Sequence, residues 1–166
     1  MDRQQFIVFG AVLLAITVGA VLLAYSPANV FSRIFAMAKP VTFSPVAKGV
    51  SAYVLDRVNY AIYTPEELNE LWALLPDAGP QPTVDFSKEA VVAVFGGQVT
   101  QGGHSIEVEK IIDRGGERMV SVSIATPAPE CITTQAIETP YQVVIVPKTT
   151  HTLAHEDIPA VRSCAE

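Results

Sequence analysis

The residues best suited to chemistry lie near the end of the chain, which reads His151-Thr-Leu-Ala-His155-Glu156-Asp157. On a helix, histidines at i and i+4 share a face and can hold a zinc ion. The HExxH pattern of zinc hydrolases is incomplete, because Thr152 stands where the glutamate belongs. A metal-dependent hydrolase built on the His151/His155 cluster, with Glu156 or Asp157 and a distant His104, is therefore the alternative reading. The plainer one is a polar C-terminal tail with no cofactor and no catalytic set. Cys131 and His104 are a nucleophile and a base by type, but nothing in the sequence places them within reach. Ser105 beside His104 is no better, since neighbours on a strand point to opposite faces. Cys131 and Cys164 can instead close a disulfide that ties the tail to the loop after Pro127, with two free thiols as the other option.

A second group of residues has binding rather than catalytic character. Gly96-Gly97 and Gly102-Gly103 bracket the polar segment Gln98-Val99-Thr100-Gln101. A phosphate-binding loop would need a helix N-terminus after it and usually a lysine. A strand pattern follows instead. Gly97, Gln98, Gln101, Gly102, Gly103 and His104 are accordingly expected to form an exposed loop that contacts a protein partner.

The elements that would position these residues are readable in outline. Val50 to Tyr63 is strand-like, with a turn or bulge near Asp56-Arg57. Thr64, Pro65 and Glu67 spell a capping box with proline in the first turn. Leu68, Leu71, Trp72 and Leu75 then make one apolar face of a helix. Ala90–Phe95 is a short apolar strand. His104–Ile112 and Arg118–Ala125 alternate around Asp113-Arg114-Gly115-Gly116, the strongest hairpin signal in the chain. Tyr141–Val146 is apolar but for Gln142 and suits a central strand. One helix and several strands predict an α+β fold: a helix packed on a mostly antiparallel twisted sheet, sandwich-like or a partial barrel.

The chain has 166 residues, 49% of them hydrophobic and only 17% charged. Much of the apolar excess lies in Phe6–Tyr25, 20 residues without a charge. At 1.5 Å per residue that run spans about 30 Å, the thickness of a bilayer core. It predicts an N-terminal transmembrane helix. Its length favours an uncleaved anchor over a removed leader. The expected organisation is an anchor at 1–27, a stalk or linker at 28–49, an α+β domain at 50–150 and a tail at 151–166. The expected localisation is a single-pass protein of the cell membrane with its body on the extracytoplasmic side. From Pro40 onward there are eight Lys or Arg against sixteen Asp or Glu. Nucleic-acid binding through a basic face is excluded by that balance.

These pieces resemble the C-terminal domain of the PrcB-like family, named for a protease-complex subunit. The likeness rests on VDFSKEAVVAVFGGQVTQGGHSIEVEKI at 84–111 and PAPECITTQAIETPYQVVIVPK at 127–148, with TPEELNELWALL as lead-in. The family's Gly-Gly-Tyr-Ser-Ile pattern reads Gly102-Gly103-His104-Ser105-Ile106 here, with His104 in the aromatic's place. Thr134, Gln135, Ala136 and Pro140 match its approach to the last strand. The resemblance covers roughly 56–148. It implies a non-enzymatic protein-interaction domain, membrane-anchored in this chain, that assembles or stabilises an envelope protein or a secreted protease complex.

Overall fold

The computed structural model describes residues 37–164. In chain order the elements are β1 (Lys39–Pro40), β2 (Ser44–Gly49), β3 (Arg57–Ile62), α1 (Pro65–Ala73), β4 (Glu89–Gly96), β5 (Ser105–Arg114), β6 (Glu117–Pro127), β7 (Tyr141–Pro147) and β8 (Thr152–Arg162). They form two four-stranded sheets: sheet one in the order β1-β5-β6-β8, sheet two in the order β2-β7-β4-β3. The strand pairs are antiparallel except β6 with β8, which run parallel.

The architecture is mostly β, which corrects the α+β class expected from the sequence. Among the described residues α1 is the only α-helix, and it has nine residues. Strands also occupy stretches read as irregular. Residues 39–49, read as linker, hold β1 and β2, and residues 152–162, read as tail, are β8. The helix expected over Phe6–Tyr25 lies outside the described residues. Within them no helix is long and apolar enough to cross a membrane: nine residues reach about 14 Å, against about 30 Å of hydrocarbon. The single-pass membrane localisation drawn from that run is therefore not supported.

The valine-rich strands explain the layering. β4 and β7 lie inside sheet two and are covered on both faces, so they need apolar residues at nearly every position; the buried Gln142 of β7 accepts from the Val108 N–H of sheet one. Ala90, Val92, Val94, Val144 and Val146 pack against Ile106, Val108, Ile111, Val120 and Val122 of sheet one. The alternate residues Val91, Ala93, Phe95, Tyr141 and Val143 meet Leu68, Leu71 and Leu75 on the other side. The helix forms where its caps dictate: the Thr64 hydroxyl accepts from the Glu67 backbone N–H at 3.2 Å, and the Glu67 carboxylate accepts from the Thr64 N–H at 3.2 Å. Trp72 is half-buried beside that core and donates Nε1–H to the Gly79 carbonyl at 2.9 Å. Leu71 is 3% exposed. Leu71→Ala is expected to cost about 3 kcal/mol through lost burial and the cavity left behind, read as a drop in the urea unfolding free energy. A variant as stable as the parent would remove α1 from the core.

The β5–β6 hairpin turns through Gly115 and Gly116 at φ 60° and 84°. Two consecutive positive φ values are the demand of a tight primed turn, which glycine meets without strain. Beneath it Arg118, 3% exposed, donates Nε–H and an Nη2 hydrogen to the two oxygens of Asp113 at 2.7 and 2.8 Å. Its third contact is to the carbonyl of Pro147 in sheet two.

Candidate functional site

At one end of the two sheets, three irregular segments are laced together by their backbones. Gly97 begins the first at φ 78°, where a Cβ would lie 3.1 Å from the Arg57 nitrogen. Close approach as well as conformation therefore calls for glycine here. Gln98 N–H then donates to Leu55 O at 2.9 Å, and Val99 exchanges hydrogen bonds of 2.8 and 3.0 Å with Glu138. Further along, Gly102 N–H donates to Thr134 O at 2.9 Å. A Cβ on Gly102 would come within 2.4 Å of the Thr134 hydroxyl. The segment 50–55 is held to the same assembly by Thr139, whose backbone N–H and hydroxyl donate to Val50 O and Ala52 O at 2.7 and 2.6 Å.

Cys131 and Cys164 form a disulfide in this structure. It joins the segment after β6 to the end of β8, next to the bond from Ala128 N–H to Arg162 O at 2.9 Å. A hollow of about 220 Å³ lies against it, lined by Gly102, Gly103, Thr133, Thr134 and Arg162. The bond closes a separation of 33 residues. Replacing both cysteines by serine is expected to lower stability by about 2–4 kcal/mol through the freer unfolded chain, and limited proteolysis should then cut between 128 and 139. Unchanged stability and an uncut loop would show that the bond braces nothing.

Of the residues singled out by sequence, Gln98, Gln101 and Gly103 are exposed, His104 is half-buried, and Gly97 and Gly102 are buried in the lacing. Several exposed apolar side chains on the partner segments, Leu55, Ile132 and Ile137 among them, have no mark in the sequence. Leu55 is 60% exposed, Ile137 72% and Ile132 fully so. In a sequence such residues look like core, and only the pairing of 55 with 98, of 99 with 138 and of 102 with 134 places them beside the loop. Nearby, Tyr141 donates its hydroxyl to Asp77 Oδ1 at 2.6 Å. Burial, and then that carboxylate, push its phenol well above the usual range.

The histidine cluster does not converge. His151 sits 3.6 Å from Asp113, whereas His155 lies on the extended β8. His151 lies just before β8, and the extended chain from there to His155 spans about 13 Å. Asp157 is engaged by Arg57, and His104 belongs to the other end of β5. Among the described residues no group of three or more His, Cys, Asp or Glu is placed to hold a metal ion.

The decisive comparison concerns the segment that carries both site loops. Residues 90–147 match the PrcB C-terminal family. The match runs from β4 through β7 and so includes 97–104 and 128–140, while β1–β3, α1 and β8 fall outside it. No curated protein and no solved structure matches the chain. The matched segment thus spans the sheet-two core pair, the hairpin between them and two of the three laced segments.

Proposed function

We propose that this chain is a non-catalytic interaction domain that docks on an exported protein, in first place a protease complex, through its laced end. One observation carries the reading: Leu55, Ile132 and Ile137 are exposed on segments held by backbone hydrogen bonds and a disulfide. Large apolar side chains held out on a rigid frame suit association, because they gain burial on contact and little ordering entropy opposes it. The match to the PrcB C-terminal family supports a protease-associated partner, since both loops lie within it. Gln98, Gln101, Gly103 and His104 would form the polar rim of the same surface.

Photocrosslinking in the native host tests this. Benzoylphenylalanine in place of Ile132 should yield a discrete adduct with an exported protease, identified by mass spectrometry. The same probe in place of Lys88, at the opposite end of β4 and 81% exposed in its side chain, should not. Equal labelling from both positions, or none from Ile132, would contradict the reading.

A further inference from the structure

Along one long side the two sheets part. Among the described residues β3 pairs only with β4, and β8 only with β6, so each presents main-chain donors and acceptors that no described strand takes up. In the parallel register Leu153, His155, Asp157, Pro159 and Val161 take the face of Val120, Val122 and Ile124. That face packs on sheet two. Yet His155, Asp157 and Pro159 are exposed, and Val161 is 72% exposed. Among the described residues sheet two ends at β3, and apart from the reach of Arg57 to Asp157 it leaves this strip of β8 uncovered.

Two hollows lie along the strip. One, of about 150 Å³, is walled by Ala61, Val92, Val120 and Leu153, with Asn59 and His155 on its polar side. A cavity of about that size admits a benzene-sized group. The other, of about 290 Å³, is lined by Ile124, Pro159 and Val161. Arg57 crosses to Asp157 with Nε 3.1 Å from Oδ2. Asn59 adds an independent sign. Its Oδ1 accepts from Arg57, but its buried Nδ2 has no hydrogen-bond partner among the described residues, a costly arrangement that an acceptor would relieve. The other long side is closed differently: Gln142 Oε1 accepts from the Val108 N–H at 2.6 Å, and Val41 N–H donates to Ile111 O at 2.9 Å.

We propose that this side receives an extended peptide segment of a partner protein, which joins sheet two along the free edge of β3 and covers β8. It would set an uncharged side chain bearing an acceptor into the Asn59–His155 hollow and an aliphatic one over Ile124, Pro159 and Val161. The edge of β8 itself is guarded by Pro159, which has no N–H, and by Asp157. β3 (Arg-Val-Asn-Tyr-Ala-Ile) has neither proline nor acid. From His155 to Val161 is about 20 Å of strand, so the segment needs about seven residues. Eight basic against sixteen acidic residues from Pro40 onward favour a neutral or basic segment over an acidic one. The inference rests on reading the chain as a protein-binding domain, but it uses a different surface from the laced end.

The test is affinity selection on the full chain from a random pool of capped peptides about seven residues long, followed by anisotropy titration and hydrogen exchange. Selected peptides should be neutral or basic, should slow amide exchange in β3, and should lose binding when alternate backbone nitrogens are methylated. Ala61→Leu, which fills the first hollow, should weaken them about tenfold or more, while Ile132→Lys should leave them unchanged. Enrichment no greater than on the bare support would overturn the proposal. So would protection of elements other than β3, indifference to backbone methylation, or self-association of the chain that itself protects β3. Peptides sensitive to Ile132→Lys but not to Ala61→Leu would overturn it while leaving the laced-end reading intact.

Discussion

Asp113→Ala is expected to cost about 3–5 kcal/mol, because it strands a buried guanidinium without its carboxylate. Arg118 is 3% exposed, and its fork meets both oxygens of Asp113. The one contact left to it would be the Pro147 carbonyl, which carries no countercharge. Domains are commonly stable by only about 5–15 kcal/mol, so the variant should sit near its unfolding limit. Adding Arg118→Met should recover most of the loss, since the unpaired charge is gone and the methionine stem can occupy the same space. Urea unfolding of the two variants measures both effects, and a single-variant cost below about 1 kcal/mol would show that the pair is solvated rather than structural.

The same pair shapes the pH profile. Hydrogen bonds from Arg118 hold the Asp113 carboxyl below the usual carboxylate range. Its contribution is complete above the unfolded pKa of about 3.9 and is lost as pH falls through the lower folded value. Tyr141 acts at the other limb. Its phenol is pushed up by burial and by Asp77, so its contribution is complete below the unfolded value of about 10 and is lost as pH rises above it. Stability should therefore decline at both ends of a plateau, and Tyr141→Phe should soften the alkaline decline while sparing the acidic one.

How much was legible in the sequence follows from how local each signal is. The cap at Thr64 and Glu67, the Gly115-Gly116 turn and the apolar run Val143–Val146 of β7 are short-range patterns, and the structure has an element at each. β8 is written differently. Its partner β6 lies about 35 residues away across another sheet, and Pro159, Glu156 and Asp157 disguise it as tail. β1 and β2 carry Pro40 and Pro45, which suit edge strands but read as linker. Because β1, β2 and β8 carry no strand signal, the one well-signalled helix dominates the sequence pattern and makes a mostly β chain look α+β. The glycine-flanked loop at 97–104 was visible because glycine marks close approach. Its partners at 55 and 134–138 were not, since long-range backbone pairing leaves no mark on composition.

Ile132→Lys combined with Ile137→Lys should weaken binding to the partner about 30-fold or more, as expected for removing at least one central apolar anchor worth about 2 kcal/mol. Both side chains are exposed, Ile137 at 72% and Ile132 fully, so the folded state should not change. Near-ultraviolet circular dichroism and the urea midpoint should match the parent. Lysine is chosen over alanine because a charge forced into a desolvated contact is penalised as well as unpaired. The most direct measurement is isothermal titration of the full chain, parent and double variant, against the exported protease recovered by crosslinking at position 132. The expected result is a saturable one-site association for the parent and its loss or weakening by about 30-fold in the variant. Equal affinities within about twofold, for a variant that is folded, would contradict it.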